Sequence, residues 1–418
     1  MPKPRSQTMV TAALLIGASF CRAATNYCVA PSNTGDYPPY TNWVMAATNI
    51  QDVLNRTLAG DTVYLTNGHY YLTGAVTVAK AVTIKSYNNG TTDPANTIID
   101  GNNDAGKPVT NRCFEVSASS IFDGLTVIGG RSTSWGGGIY CSVGSCVIKD
   151  CLIGWNYTSG QGGSAVGLNG SGSSVVNCRI VSNIGASVVY FVTGRGSCVS
   201  NCVIWGNTNG AAFDSRSTTL SNQVVNCQII SNYSAGADNV IPAGGMVSQG
   251  ILYRNCLIAN NRSDGLCGGM RVYGDGTGTV ESCTIAGNQG FTCGGIYTQS
   301  GTNWFFYNTI ICSNVGNSFS DFDMTDAAAT NRFYNSCCPT TALPPTQDNI
   351  QRTASFVDAN TGNYRLTADS PCVNAGINQA WMTNAFDLDG NRRLDQLNGR
   401  VDMGAYEFIH TITLISGY

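Results

Sequence analysis

A seven-residue pattern, Asn-Cys-x-Ile-x-x-Asn, returns at nearly even intervals through the middle of the chain and limits the possible folds more than any other feature. Its cysteine position is filled by Cys151, Cys178, Cys202, Cys227, Cys256 and Cys283, and by Thr309 in a seventh copy. Two residues on stand Ile153, Ile180, Ile204, Ile229, Ile258, Ile285 and Ile311. Three further on come Asn156, Asn183, Asn207, Asn232, Asn261, Asn288 and Asn314. A weaker copy precedes them at Leu125, Val127 and Gly130. Repetition with a period of about 25 residues marks a solenoid, in which each unit buries its apolar face only against its neighbours.

Side chains two residues apart share one side of a strand, so Cys-x-Ile reads as a strand facing inward. Helical repeats would need apolar residues three and four apart, and the copies lack them. Several copies continue with Gly-Gly and an apolar residue, at Gly138-Ile139, Gly245-Met246, Gly269-Met270 and Gly295-Ile296. Another strand arrives three residues before the cysteine position, at Ile148, Val175, Val199, Val224, Tyr253, Val280 and Phe306. The expected fold is all-β: a parallel β-helix solenoid of about ten coils, with three strands in each. Coils stack at about 4.8 Å, which lets the Asn side chains pass amide hydrogen bonds from coil to coil.

Lys3 and Arg5 precede an apolar run from Met9 to Phe20, followed by Cys21-Arg22-Ala23-Ala24. Residues 1–24 therefore read as a secretory signal cleaved after Ala23 or Ala24. The run is too short for a membrane span. A lipidated Cys21 would want a small residue before it, and Phe20 is bulky. Residues 25–60 form an N-terminal segment in which Ile50, Val53, Leu54 and Leu58 share one helix face between Thr48 or Asn49 as cap and Gly60 as stop. This helix is expected to cover the unpaired first edge of the solenoid.

Strand-like runs at Asp61-Thr62-Val63-Tyr64-Leu65, Gly68-His69-Tyr70, Val76-Thr77-Val78 and Val82-Thr83-Ile84 alternate with Gly and Asn turns. With the repeats that follow, this opening resembles the right-handed parallel β-helix proteins of the pectate lyase-like superfamily, over residues 46 to about 320. The resemblance implies the fold and leaves the activity open. The Gly-Gly-x-Ile and Ile-x-x-Asn elements also look like the repeats of polymorphic outer-membrane proteins, which are surface-displayed adhesins. Residues 61–330 are assigned to the solenoid, and 331–418 to a C-terminal cap. Within that cap come Phe356-Val357-Asp358, Gly362-Asn363-Tyr364-Arg365-Leu366, Ser370-Pro371-Cys372-Val373-Asn374-Ala375-Gly376, Asp387-Leu388-Asp389-Gly390-Asn391-Arg392 and Val401-Asp402-Met403-Gly404-Ala405-Tyr406-Glu407-Phe408. This order is similar to the choice-of-anchor Q region of bacterial surface β-helix proteins, which implies an exported or surface-attached protein.

Only 11% of residues are charged and the net charge is −3, with no basic run, so nucleic acid and anionic membrane are poor partners. No stretch of the mature chain resembles a transmembrane helix, and a monomer is expected. Eighteen cysteines in an exported chain would ordinarily suggest disulfides. Parallel side chains about 4.8 Å apart hold their β-carbons slightly too far apart for an unstrained bridge, so the cysteine column reads as buried thiols. Bridges are expected instead among Cys267, Cys293, Cys337, Cys338 and Cys372.

Catalysis on such a scaffold would need a basic residue beside acids, or two carboxylates at a set separation, on outward positions of adjacent coils. The position two before the cysteine carries Lys149, Arg254 and Glu281, which a surface ion pair explains. Asp264, Arg271 and Asp275 fall in one coil beside the longest loop, Tyr233 to Ala243, and are the candidate cleft. Asp387, Asp389 and Asn391, with Asp395 further on, have the alternating oxygen ligands that calcium loops use. Gly390 stands at the fourth position rather than the sixth, so a turn closed by Asp-to-backbone bonds is the competing reading. Trp135, Trp155, Trp205, Tyr233, Tyr273, Tyr297 and Trp304 could stack on sugars, yet they do not share one register. The first expectation is an adhesin-like or glycan-contacting surface protein without an identifiable catalytic site. A lyase or hydrolase of acidic polysaccharide, and a structural envelope spacer, are the alternatives.

Overall fold

A computed structural model describes residues 24–410, apart from 88–93, 103–110, 161, 193–194, 217–221, 236–245, 250, 273–276, 299–302, 324–331, 340–342 and 344–346. Residues 1–23 of the expected signal, Asp275, Tyr273 and most of the longest loop lie outside the described residues.

The repeats close into an all-β parallel β-helix whose three long sheets contain 12, 10 and 9 strands. The first face runs from Asn26–Val29 through Thr62–Thr66, Thr83–Tyr87, Ile121–Asp123 and Val147–Lys149 to Phe333–Tyr334. The second face holds the Cys-x-Ile strands, and the third the strands after Gly-Gly. Register is strict: Ile153 pairs with Ile180, then Ile204, Ile229, Ile258, Ile285 and Ile311, all fully buried. One rung carries too little apolar surface to fold alone, so stability comes from the continuous column.

The turn after each second-face strand is built from the motif's last Asn. The Nδ2 of Asn156, Asn183, Asn207, Asn232, Asn261 and Asn288 donates to the Oδ1 of the next Asn at 2.9–3.0 Å. The same Oδ1 accepts the backbone N–H of the preceding Asn at 2.8–3.1 Å. Each Nδ2 also reaches the carbonyl of the inward residue one coil back, as Asn207 does to Ile180 at 3.0 Å. Asn314 ends the ladder on Asp321 Oδ1 at 2.9 Å, and burial pushes that carboxyl upward. The Asn that opens the motif has a different duty: Asn177, Asn201, Asn226, Asn255 and Asn308 all take φ near +50 to +55°. Asn tolerates this left-handed conformation better than most residues, and it turns the chain from the first face to the second.

The cysteine column consists of buried thiols, as expected. Each Sγ donates to the carbonyl two residues earlier, from Cys151 to Lys149 at 3.1 Å through Cys283 to Glu281 at 3.3 Å. Burial pushes the Cys151, Cys227 and Cys283 thiols up. Thr309 replaces cysteine without loss because its hydroxyl makes the same bond, to Tyr307 at 3.0 Å. The expectation of bridges among Cys267, Cys293, Cys337, Cys338 and Cys372 is not met, since all five are buried and none forms a disulfide. Cys267 and Cys293 are themselves stacked in register, and each donates to a nearby carbonyl instead. Among the described residues the disulfide is Cys141–Cys146, at the corner between the third and first faces, which the repeat pattern did not reveal.

Helix α1, Ile50–Arg56, is capped by Asn49, whose side chain accepts from the Gln51 N–H. Ile50, Val53 and Leu54 join the core at the first coils. The C-terminal region does more than cap the far end, because it returns along the outside of the second face. Tyr364, Ala405 and Tyr406 pack on Leu257, Ala259 and Ala286, and Leu366, Cys372 and Met403 on Ile310 and Cys312. Polar anchors fix the course: Tyr364 Oη to Asn260 at 2.6 Å, Gly404 N to the Asn308 carbonyl at 2.7 Å, and Ala405 N to Thr284 Oγ1 at 3.0 Å. A buried Arg393 ties this segment together, pairing with Glu407 at 3.1 Å and donating to the Gly404 carbonyl at 3.0 Å.

Two outcomes are expected in chemical denaturation. Ile204→Asp should abolish cooperative unfolding, because an unpaired charge would enter the continuous core. Asn207→Ala should cost about 1–3 kcal/mol by leaving the N–H and Nδ2 of Asn183 without their acceptor.

Candidate functional site

Of the expected cleft residues, Asp264 and Arg271 are described, and they stand on different elements. Asp264 follows the short strand Arg262–Ser263, at the corner between the second and third faces, where Tyr233 Oη donates to it at 2.6 Å and Arg262 pairs with it at 3.2 Å. Arg271 sits on the third face in strand Met270–Val272 and is buried. There it shares an outward position with Asp214, two rungs before, and Tyr297, one rung after.

The Asp387 loop is organised as a turn. Asp387 Oδ1 accepts from the N–H groups of Asp389 and Asn391 at 2.9 and 2.7 Å, and its Oδ2 accepts from Glu407 N at 2.8 Å and Asn391 Nδ2 at 3.2 Å. Arg365 grips Asp389 in a bidentate pair at 2.5 Å for both bonds. Asp395 accepts from the Leu397 and Asn398 N–H groups. Among the described residues no group of three or more His, Cys, Asp or Glu side chains converges as a metal site.

The aromatic residues separate by environment. Trp155 and Trp205 are about half exposed on the second face, Trp304 is buried against Tyr253, and Trp135 stacks on Tyr140.

What the stacking does assemble is one outward row along the first face. In ladder order it reads Tyr64, Lys85, Asp123, Lys149, Val176, Ser200, Val225, Arg254, Glu281, Tyr307 and Tyr334. Ten coil steps give it a length of about 48 Å. Aromatic rings stand at both ends. Tyr64 meets Tyr87 edge to face at 5.6 Å, Trp43 lies 4.7 Å from the same ring, and Tyr307 stacks on Tyr334 at 5.0 Å. Between them come charges. Asp123 Oδ2 is held by Lys149 at 2.9 Å and Lys85 at 3.3 Å, and the Asp123 bond raises the Lys149 ammonium above its ordinary value. Arg254 pairs with Glu281 at 2.7 Å and is covered by the Trp381 ring at 4.7 Å. The centre of the row, Val176, Ser200 and Val225, is low.

The Arg254–Glu281 pair was legible from the repeat position two before the cysteine. Lys85 and Asp123 were missed, although the same offset in the weak copy, counted back from Leu125, gives Asp123. Lys85 precedes any recognisable copy and could be placed only by its pairing with Asp123.

The row's chemistry is restricted. Its acids, Asp123 and Glu281, are six coil steps apart, about 29 Å, whereas glycoside hydrolysis needs carboxyl groups about 5–9.5 Å apart. Lys149, held charged by Asp123, is a poor proton acceptor.

No protein-family model matches this sequence, and no curated protein matches it. Among solved structures, the chain is similar to pectate lyase Pel9A, with a TM-score of 0.60 and 17% identity over 92% of this chain and 96% of that one. A rhamnogalacturonan lyase aligns with a TM-score of 0.42 and 15% identity, over 68% of this chain and 87% of that one. The similarity to Pel9A, at this level of identity, is one of fold: the chain is a parallel β-helix.

Proposed function

We propose that this is a glycan-contacting β-helix protein, exported and displayed at the cell surface, which holds a polysaccharide along the outward row of its first face without cleaving it. The observation that carries the reading is the row itself: rings at both ends, charges inside them, and a low centre, at one position over about 48 Å. Sugar rings present apolar faces edged by hydroxyl groups, and aromatic side chains beside charged hydrogen-bonding groups complement both. Export follows from the leader-like residues 1–24, and surface display from the resemblance of residues 356–408 to the choice-of-anchor Q region.

The absence of cleavage is inferred from the charges, which are paired with one another in place: Lys85 and Lys149 with Asp123, and Arg254 with Glu281. A second reading, a lyase of acidic polysaccharide, draws on Arg271, buried on the third face between Asp214 and Tyr297 in the same outward column. Arginine there would neutralise a sugar carboxylate and tyrosine would take part in proton transfer.

Affinity electrophoresis and product assays on neutral and uronate polysaccharides, with and without calcium, separate the readings. The expected result is retarded migration without unsaturated products or new reducing ends. Tyr64→Ala and Tyr307→Ala should each weaken binding by about 0.5–1.5 kcal/mol. Cys198 is the one free thiol among the described residues that is not buried, and it lies on the same face two residues before Ser200. Bound glycan should slow its alkylation. Unsaturated products that vanish in Arg271→Ala would establish the lyase, and silence in every assay would leave the spacer.

A further inference from the structure

The corner between the second and third faces holds a cavity that lies apart from the first-face row. Two short columns over three successive rungs frame it. Strand pairing sets Arg262, Gln289 and Val315 one above another. Two residues after each come Asp264, Phe291 and Asn317, where Phe291 N donates to the Gly265 carbonyl at 2.9 Å and Asn317 N to the Phe291 carbonyl at 3.1 Å. Arg262, Asp264, Gln289, Gly290, Phe291 and Asn317 enclose about 230 Å³. That is below the roughly 300–1,000 Å³ of drug-sized ligand sites, so the space suits one small ring. A Cβ at Gly290 would strike the Cys293 carbonyl, so no side chain rises from that part of the floor.

The groups around this space are positioned by one another and still open to a ligand. Tyr233 Oη donates to Asp264 Oδ2 at 2.6 Å, Arg262 Nη2 donates to Oδ1 at 3.2 Å, and the Arg262 guanidinium lies over the Tyr233 ring at 5.6 Å. These bonds leave acceptor sites on both carboxylate oxygens and most of the Arg262 N–H donors uncommitted. The Arg262 and Asp264 side chains are 60% and 41% exposed, so both can be reached from solvent. Among the described residues, the side-chain amides of Gln289 and Asn317 make no hydrogen bond, and the 63% exposed Phe291 ring stacks on no other ring. The one carboxylate and the one guanidinium cancel in charge.

We infer that this corner cavity binds one uncharged pyranose unit: the Phe291 ring covers the apolar face of the sugar, Asp264 accepts from one hydroxyl, and Arg262 donates to the next. The polar set is mixed, since Asp264 only accepts, Arg262 only donates, and the two amides do both. Adjacent hydroxyl groups, each a donor and an acceptor, satisfy such a set together. A simple cation or anion would use only half of it. A lone exposed ring beside these groups complements the apolar face that hydroxyl groups border. A carboxylate on the sugar would stand against Asp264, whose bond from Tyr233 holds it below the ordinary carboxylate range and therefore ionised. The pocket thus favours neutral sugars over uronates. It is independent of reading the first-face row as a glycan track, and it gives Asp264 a binding role in place of the cleft role expected from the sequence. No bond is made or broken.

Saturation-transfer NMR on the full chain tests this, with the methyl glycosides of galactose, glucose, mannose and galacturonic acid as probes. Each is far too short to follow the first-face row. At least one of the three neutral glycosides is expected to receive saturation, and the galacturonic acid glycoside less than that one. For the best probe, Phe291→Ala should weaken binding about two- to tenfold and Asp264→Asn about tenfold. Both side chains are exposed, so both variants should fold as the wild type does. Tyr64→Ala and Tyr307→Ala should leave the signal unchanged. Silence from all three neutral glycosides would overturn the inference, as would a stronger response to the galacturonic acid glycoside. A neutral signal that survives both Phe291→Ala and Asp264→Asn would overturn it too, and its loss in Tyr64→Ala or Tyr307→Ala would then assign the binding to the row. Retardation by polymers, measured beside these, decides the row separately.

Discussion

Everything in this molecule depends on parallel strands stacked in exact register, and the buried asparagine ladder is the interaction that holds that register. Backbone hydrogen bonds between parallel strands do not by themselves choose a side-chain register. An asparagine whose oxygen serves two donors of the coil before it, and whose amide serves the next coil and a carbonyl behind it, does choose one. A slip by one residue would strand several buried polar groups at once, each costing about 1–3 kcal/mol. The ladder runs without a break from Asn156 to Asn314 and ends on a carboxylate rather than another amide.

Strict register has a functional consequence. Residues far apart in sequence but equal in repeat position become neighbours at about 4.8 Å, so a position free to vary becomes a row on the surface. On the second and third faces much of that freedom is consumed. The C-terminal return covers the later coils of the second face, and the third face buries Tyr140, Tyr190, Asp214 and Arg271. The first face keeps a row whose two lysines, near its start, remain partly exposed. A long, shallow, partly charged track suits an extended polymer better than a compact ligand, because binding energy accumulates along it in small increments.

Cysteine thiols suit such a column chemically. A thiol is small, tolerates burial, and gives a weak donor to the carbonyl at the turn. Thr309 and Ser336 perform the same service with hydroxyl groups, which shows that the donor and not the sulfur is the requirement. The column also explains why so many cysteines produce so little cross-linking: parallel stacking holds neighbouring β-carbons beyond comfortable bridging distance.

The fold was legible in the sequence because a solenoid repeats its instructions. The Ile column, the Asn column and the two-residue period each appear seven times, and any one copy can be checked against the next. Helix α1 was legible from its cap and apolar spacing, and the Arg254–Glu281 pair from its repeat offset. Other features had no repeat to betray them. Lys85 lies before the first copy, so only tertiary stacking placed it against Asp123. Asp264 and Arg271, seven residues apart, were assigned to one cleft, and the fold sets the first at a corner and the second on the third face. The Asp387 carboxylate was free to be a ligand on paper, and backbone N–H groups brought close by the folded turn are what occupy it. The sequence by itself determined the coil, its inward columns and its turns, because those follow from local periodicity. Which outward residues meet, and which face the C-terminal segment covers, was decided by tertiary structure alone, since those contacts join positions between which the chain has no fixed spacing.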